Sequence, residues 1–316
     1  MPFGIPHKVG RVNGVLHLNG QMEYRLKRFL LDLIELTKPR IVMMQLVTLY
    51  MGVLAVSELA PIRWGTMVGL GVGTLASSAG ASVFNHFFER YIDAKMHRTQ
   101  NRPLPAGRIP AELAGSLGFT LVGLGLLILW QTTNPTVMFL SLITVFLYNL
   151  VYTPLKQWTW LNTYVGTIPG AIPPLAGSVA VIGYISPISW SLFWILVIWQ
   201  LPHFFSIAWI LKEDYARAGI KMLSGHDEHG DATYQQMVWF SIALIGVALI
   251  PIYLGVFGWV YGLISILGGG WQSWKCYQFK TRRGADTAKS IMRASILYLP
   301  LLLMGMMLDR LIGLFY

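Results

Sequence analysis

The chain has 316 residues, 54% of them hydrophobic and 12% charged, with a formal net charge of +10 and a mean hydropathy of +0.54. Soluble domains carry roughly 25% charged residues, so this composition argues against a soluble globular protein. A single cysteine, Cys276, excludes an intrachain disulfide framework and a cysteine-cluster metal site.

Residues 1–40 are mixed and polar, with no short apolar core ahead of a small-residue cleavage site, so no cleavable signal is expected. Within them, residues 22–37 ("MEYRLKRFLLDLIELT") place Leu26, Phe29, Leu30 and Leu33 on one face at helical spacing. That pattern predicts an amphipathic helix lying at a membrane surface. Nine apolar runs follow, at roughly 41–60, 66–88, 111–130, 135–152, 162–184, 189–210, 236–256, 258–274 and 292–314. Runs of about 20 residues suit a hydrocarbon core of about 30 Å. The fifth holds Pro169, Pro173 and Pro174 with several glycines and is expected to be kinked and closely packed. The eighth is short and contains Gly268–Gly270, so a broken or re-entrant segment is expected there. The expected organisation is a cytoplasmic N-terminal segment, 1–37, followed by an all-α transmembrane domain, 38–316, of about nine helices.

The basic residues set the expected orientation. The N-terminal segment and the loops after spans two, four, six and eight hold 22 of the 24 Lys and Arg, and only Arg63 and Arg310 fall on the other side. A cytoplasmic N-terminus with nine spans therefore obeys the positive-inside rule. The net charge is thereby explained by topology, and nucleic acid is not an expected partner. The twelve tryptophans fall mostly near span ends, as interfacial anchors do.

One segment carries more than topology requires. In "FNHFFERYIDAKMHRTQNRPLPAGR" (84–108), Asn85, Glu89 and Asp93 are spaced i, i+4, i+8 at the end of span two. Each step of four drifts by only about 40° around a helix, so the three side chains share a face. Two carboxylates and an amide are hard oxygen donors of the kind Mg²⁺ takes when substrate phosphates complete its shell. Arg98 and Arg102 follow and can grip phosphate oxygens in bidentate fashion. A plainer account is a solvated loop whose acids pair with its own bases. Tyr152 and Lys156 lie just past span four, and Lys212, Glu213, Asp214, Arg217 and Lys221 just past span six. Three charged clusters at the mouths of alternate spans suggest one cavity for a ligand with an anionic head and an apolar tail.

The segment "NHFFERYIDAKMHRTQNRPLPAGR" resembles the first signature of the UbiA-type intramembrane prenyltransferases. Its form is that of the haem O synthase (protohaem IX farnesyltransferase) branch, N-x-x-x-[DE]-x-x-x-D followed by M-x-R-T-x-x-R-P-L. "LTKPRI" (36–41), "YTPLKQWTWLN" (152–162), "GAIPPLAG" (170–177) and "WQLPHFFSIAWILKEDYARAGIKML" (199–223) are similar to further segments of that branch, in the same order. The resemblance implies nine helices around a central cavity. It implies transfer of farnesyl from farnesyl diphosphate to the 2-vinyl group of haem B, with addition of water, to give haem O. Mg²⁺ is the implied cofactor, held by Asn85, Glu89 and Asp93, with Arg98, Arg102 and Lys156 neutralising the leaving diphosphate. Lys38, Arg40, Tyr152, His203, Lys212, Glu213 and Asp214 are the implied substrate-binding residues. Haem B enters as a substrate rather than a resident cofactor, and a haem A synthase or a terminal oxidase under assembly is the implied protein partner. The implied location is a bacterial cytoplasmic membrane in preference to a mitochondrial one. Most of the superfamily carries a second aspartate-rich signature on the sixth helix. Here only Glu213 and Asp214 remain, which puts a second carboxylate-held Mg²⁺ in doubt.

His203 is the histidine buried in mid-span, and an ionisable group there is a candidate for function. The resemblance points it towards haem recognition; the plainer role is a neutral side chain bonded to a neighbouring helix near Pro202. His86 and His97 are read as lying off the Asn85–Glu89–Asp93 face, in structural or surface roles. His226 and His229 sit in "GHDEHGD", an expected exposed loop that suggests a metal site only superficially. Two other functions fit some of these features: prenyl transfer to an aromatic or quinone-precursor acceptor, and transport of an anionic amphiphile. A structural oxidase assembly factor is a third, but it gives no reason for the aligned Asn85, Glu89 and Asp93.

Overall fold

The computed structural model describes residues 12–313, with side-chain surroundings given from residue 22 onward. Residues 1–11 of the expected N-terminal segment, including Lys8 and Arg11 of the charge asymmetry, lie outside the described residues, as does residue 314 of the ninth expected span. The described residues form helices and loops without strands.

Each expected apolar run is a helix. In chain order they are α1 (Val12–Leu36), α2 (Pro39–Ala55), α3 (Trp64–Asp93), α4 (Ala111–Thr132), α5 (Pro135–Trp158), α6 (Asn162–Ile182), α7 (Pro187–Ile210), the short α8 (Lys212–Arg217) and α9 (Leu223–His226), α10 (Asp231–Tyr253), α11 (Trp259–Gln278) and α12 (Ala285–Gly313). Seven are long and apolar enough to cross a membrane: α3, α4, α5, α6, α7, α10 and α12. The first expected span is shorter, at 17 residues, in α2. The eighth, α11, is diluted by glycines and polar residues, but it is one continuous 20-residue helix through Gly268–Gly270, not the broken segment expected. Its glycines are where neighbours come close: a Cβ at Gly269 would meet Ile245, and one at Gly268 would meet Tyr298.

The surface fits a lipid environment. Phe119, Trp130, Phe139, Trp239, Tyr253 and Leu267 are each more than half exposed, spread over several helices. In water such a surface would be an aggregation hazard, whereas lipid tails accept it.

Inside the bundle α3 packs along α4, α6 along α2 and α7, α7 against α10 and α12, and α11 against α12. The α2–α6 contact depends on glycine. A Cβ at Gly177 would lie 1.9 Å from the Leu49 carbonyl oxygen, and one at Gly52 would lie 1.9 Å from that of Pro174. The two backbones touch, as small residues allow where helices cannot rely on the hydrophobic effect to associate. The close packing expected of the proline-rich fifth span is therefore present, and α6 runs unbroken through Pro169, Pro173 and Pro174.

The amphipathic N-terminal helix is longer than expected, and its apolar face is divided. Phe29 and Leu33 pack with Leu36 against Val83, Leu104 and Ile109, while Leu26 and Leu30 stay exposed. Asp32 on α1 accepts two hydrogen bonds from Arg108 Nε (2.9 and 3.1 Å) and one from its Nη2 (2.9 Å). This paired contact ties α1 to the loop after α3. The joint between α1 and α2 is Lys38, which has a left-handed backbone (φ +49°), a conformation a non-glycine residue holds only when its surroundings impose it.

Gly177→Ala is expected to destabilise the protein by about 2 kcal/mol, the usual scale for overpacking a close contact. Thermal denaturation in detergent would measure this, with Gly123→Ala, whose Cβ would meet nothing within 4 Å, as the unaffected control.

Candidate active site

The bundle opens at one end into a cavity of about 660 Å³. Its walls come from the α1–α2 joint, the C-terminal turns of α3, the loop after α3, the second half of α5 and the segment after α7. The N-terminal turn of α2, the end of α3, the end of α5 and the segment after α7 thus meet at one mouth; the charged clusters after spans two and four reach it, and the one after span six does not.

Asn85, Glu89 and Asp93 all line this cavity and are 2%, 6% and 1% exposed. Glu89 receives Lys156 at 2.5 Å from α5 and the side-chain amide of Asn85 from one turn back. Asn85 also donates to Thr153 Oγ1 (3.1 Å) and accepts from Lys38 Nζ. Asp93 Oδ2 receives Arg102 at 2.7 Å, while Asp93 Oδ1 is buried with no hydrogen-bond partner among the described residues. Arg98 and Arg40 line the same space. Five cations (Lys38, Arg40, Arg98, Arg102, Lys156) therefore face three carboxylates (Glu35, Glu89, Asp93), an excess that suits an anionic ligand. Burial pulls the Lys38 ammonium down to about 8, against the opposing pull of Glu89.

The residues fit a magnesium ion. They offer the side-chain oxygens of Asn85, Glu89 and Asp93 on one helix face, and Asp93 Oδ1 is an orphaned buried acceptor pointing to a missing partner. Among the described residues no three His, Cys, Asp or Glu are arranged to hold a metal alone.

Tyr152 and Tyr148 line the cavity from α5, their rings stacked 5.9 Å apart at 13°. They sit in a π-helical stretch, Leu147–Tyr152, embedded in α5. Such wide turns are frequent at functional sites. Ile41, Tyr148 and Tyr152 also line a second cavity of about 390 Å³ that is more apolar and lies among α2, α3, α5, α6 and α7. The two cavities therefore share a wall: a charged chamber at the mouth and an apolar chamber further in. His203 lines the apolar chamber.

Two expectations need correction. His86 is not off the site: it is 2% exposed, lines the charged chamber, and its Nδ1 is 4.0 Å from Asp93 Oδ2, with both ring nitrogens lacking a hydrogen-bond partner among the described residues. Seven residues make nearly two full turns, so His86 comes back beneath Asp93 although it lies about 100° from Asn85. Lys212, Glu213 and Asp214 do not line the charged chamber. Lys212 and Glu213 are exposed, Lys212 lying 4.8 Å from the Trp209 ring centroid, and Asp214 accepts the His97 N–H and Arg217. In their place Tyr215, Ile220 and Met222 reach the cavity. The expected loop at 224–233 is a clipped turn: Asp227 accepts the Thr233 N–H at 2.6 Å, and Arg283 holds Asp231 and the His229 carbonyl. His226 and His229 line neither chamber. His97 is exposed, as expected.

Tyr148, Tyr215 and His86 are the site residues that sequence reasoning missed. For Tyr148 a signal existed: Tyr148, Tyr152 and Lys156 repeat at intervals of four.

Comparison with known proteins adds three findings. Residues 45–297 match the UbiA prenyltransferase family. The chain is 41% identical over 290 residues to the protoheme IX farnesyltransferase of Solibacter usitatus, covering 88% of this chain and 98% of that one, and 38% identical to that of Salinibacter ruber, again covering 88% and 98%. Among solved structures it is similar to a digeranylgeranylglyceryl phosphate synthase (TM-score 0.75, 16% identity, 89% of this chain and 98% of that one). It is also similar to a UbiA homologue from Archaeoglobus fulgidus bound to GPP and Mg²⁺ (TM-score 0.62, 13% identity, 87% and 99%).

Lys156→Met is expected to destabilise the protein by about 3 kcal/mol, because it leaves Glu89 buried without its cation. The double variant Lys156→Met/Glu89→Gln should recover most of that loss, a coupling read from the four thermal midpoints of a double-mutant cycle.

Proposed function

The chain belongs to the UbiA prenyltransferase family, and we propose that it is an enzyme that transfers the farnesyl group of farnesyl diphosphate to a vinyl group of haem B. Water is added in the same reaction, giving haem O and releasing diphosphate. The observation that carries this reading is the pair of chambers sharing Ile41, Tyr148 and Tyr152. A farnesyl diphosphate needs a charged seat joined directly to an apolar one. The proteins of similar sequence from Solibacter usitatus and Salinibacter ruber are protoheme IX farnesyltransferases, which supports haem B over another acceptor.

In this reading the diphosphate lies in the charged chamber. Asn85, Glu89 and Asp93 would hold Mg²⁺, which supplies positive charge to the diphosphate oxygens. Lys38, Arg98, Arg102 and Lys156 surround the same position and stabilise the negative charge that grows as the allylic C–O bond breaks. The electron pair of that bond leaves with diphosphate. The vinyl π electrons form the new C–C bond to farnesyl, and water adds to the porphyrin-side carbon, losing a proton. The apolar chamber keeps bulk water from the allylic centre until the acceptor has reacted. The stacked faces of Tyr148 and Tyr152 at the junction can stabilise positive charge there.

The protein is a multi-pass membrane protein by its seven long apolar helices. We place it in a bacterial cytoplasmic membrane, with the charged mouth on the cytoplasmic side, in keeping with the basic loops and with the bacterial relatives.

The test is haem analysis after incubating purified protein with haem B and farnesyl diphosphate. Haem O is expected with Mg²⁺ and not after chelation. Asp93→Asn and Glu89→Gln should each lower the rate by about 100-fold or more, the scale of losing one charge-stabilising group, with membrane insertion unchanged. A normal rate in Asp93→Asn would remove it from the metal site.

A further inference from the structure

Asn85 is held by three partners, and the proposed reaction draws two of them away. Its Oδ1 accepts from Lys38 Nζ, and its Nδ2 donates to Glu89 Oε1 and, at 3.1 Å, to Thr153 Oγ1. Lys38 is a cation that serves the diphosphate, and Glu89 a carboxylate that serves the metal ion. Thr153 on α5 is the one that stays. It is 4% exposed and lines neither chamber, so it acts on the site only through neighbouring side chains. A threonine hydroxyl has one proton to give. Here it goes to the Tyr148 carbonyl at 2.9 Å. The Thr153 N–H bonds to the same carbonyl, because the wide turn Leu147–Tyr152 sends the backbone bond back by five residues. Glu89 Oε1, at 3.5 Å from Oγ1, is too far to compete for the proton. Thr153 Oγ1 is therefore left as an acceptor, and it can hold the Nδ2 end of Asn85 but not the Oδ1 end.

That polarity decides which end of the amide faces the metal. A magnesium ion takes oxygen ligands, and an amide turned by half a rotation would offer it two N–H groups instead. In the free site Lys38 and Glu89 already fix the amide, one by donating and the other by accepting. Once both are recruited, the Thr153 hydroxyl alone among these partners still tells the two ends apart. We propose that Thr153 is the positioning residue that keeps Asn85 Oδ1 aimed at the metal after Lys38 and Glu89 change partners, with the wide turn supplying the carbonyl that makes its hydroxyl an acceptor. The proposal rests on Asn85 being a metal ligand. Groups that orient a metal's ligand are worth about 10- to 100-fold in affinity. The carbonyl also belongs to Tyr148, which lines both chambers. The metal ligand and the wall of the apolar chamber thus share one anchor.

The experiment uses Mn²⁺ in place of Mg²⁺, because its EPR signal can be counted. Purified protein in lipid nanodiscs is dialysed to equilibrium against Mn²⁺ and farnesyl diphosphate without haem B, with empty nanodiscs as the blank. Thr153→Val should weaken Mn²⁺ binding by about tenfold, and Thr153→Ser, which keeps the hydroxyl, should restore it. The thermal midpoint of ligand-free Thr153→Val should stay near that of the wild type, since Asn85 Nδ2 keeps Glu89 and the Tyr148 carbonyl keeps the Thr153 N–H. A purely structural role would lower the midpoint and leave the metal affinity alone. On an Asn85→Asp background, where either side-chain oxygen can ligate, Thr153→Val should cost almost nothing, which a double-mutant cycle reads directly. Unchanged Mn²⁺ affinity in Thr153→Val, a loss that Thr153→Ser does not repair, or an equal loss on both backgrounds would overturn the role of Thr153. A Thr153→Val protein that does not fold would overturn it too. Asn85→Ala separates this inference from the reading beneath it. Wild-type Mn²⁺ affinity in that variant removes Asn85 from the metal site and the role of Thr153 with it. Weakened binding there, with normal binding in Thr153→Val, removes only this inference.

Discussion

Glu89 is 6% exposed near the end of a 30-residue apolar helix, and Lys156, at 6%, meets it from another helix. Neither charge could be kept there alone, since an isolated ion in a low-dielectric interior costs several kcal/mol even after relaxation. The pair, with Lys38 on Asn85 and Arg102 on Asp93, therefore governs how the surrounding elements meet. It sets the rotation of α3 and the register of α5. It also fixes the joint at Lys38, whose left-handed backbone delivers its ammonium to the same face. The glycine-mediated contact of α2 with α6 and the paired Asp32–Arg108 bonds then hold the outer walls around this cluster.

The same arrangement bears on how the charged chamber can fold without a ligand and still serve the proposed reaction. Without ligand, the acids are satisfied by cations belonging to the protein, apart from Asp93 Oδ1. In the proposed function, Asn85, Glu89 and Asp93 would turn to the metal ion, and Lys38, Arg98, Arg102 and Lys156 to the diphosphate. Few uncompensated charges are exposed in either state. This is how a site can bind highly charged groups at a membrane surface without a large desolvation loss.

The helical architecture was legible because apolar runs long enough to span lipid leave little alternative. The face shared by Asn85, Glu89 and Asp93 was legible because four residues are nearly one turn. The reading failed where position depends on distant elements. His86 seemed to be off the face when measured from Asn85, but Asp93, seven residues on, returns to nearly the same side of the helix and brings His86 into the cavity wall. Lys212, Glu213 and Asp214 were assigned by charge and proximity along the chain, yet the turn after α7 carries Tyr215, Ile220 and Met222 inward instead. Gly268–Gly270 looked like a break because glycine weakens an isolated helix, but Ile245 and Tyr298 pack close against that stretch. The contact of Ser295 on α12 with Trp199 and His203 on α7 had no local signal, since those two residues lie more than ninety positions away in the chain.

The π-helical stretch Leu147–Tyr152 has a consequence for how the chain tolerates length changes. A wide turn accommodates a residue that a regular α-helix would not, so it acts as a one-residue insertion absorbed without a loop. Deleting one residue there would let α5 revert to uniform winding, and everything beyond it would turn by about 100°. Lys156 would swing from Glu89 towards a neighbouring face while the apolar pattern before the deletion stayed intact. Such a chain would still insert into a membrane and still look like its relatives by composition, yet its charged chamber would have lost its register.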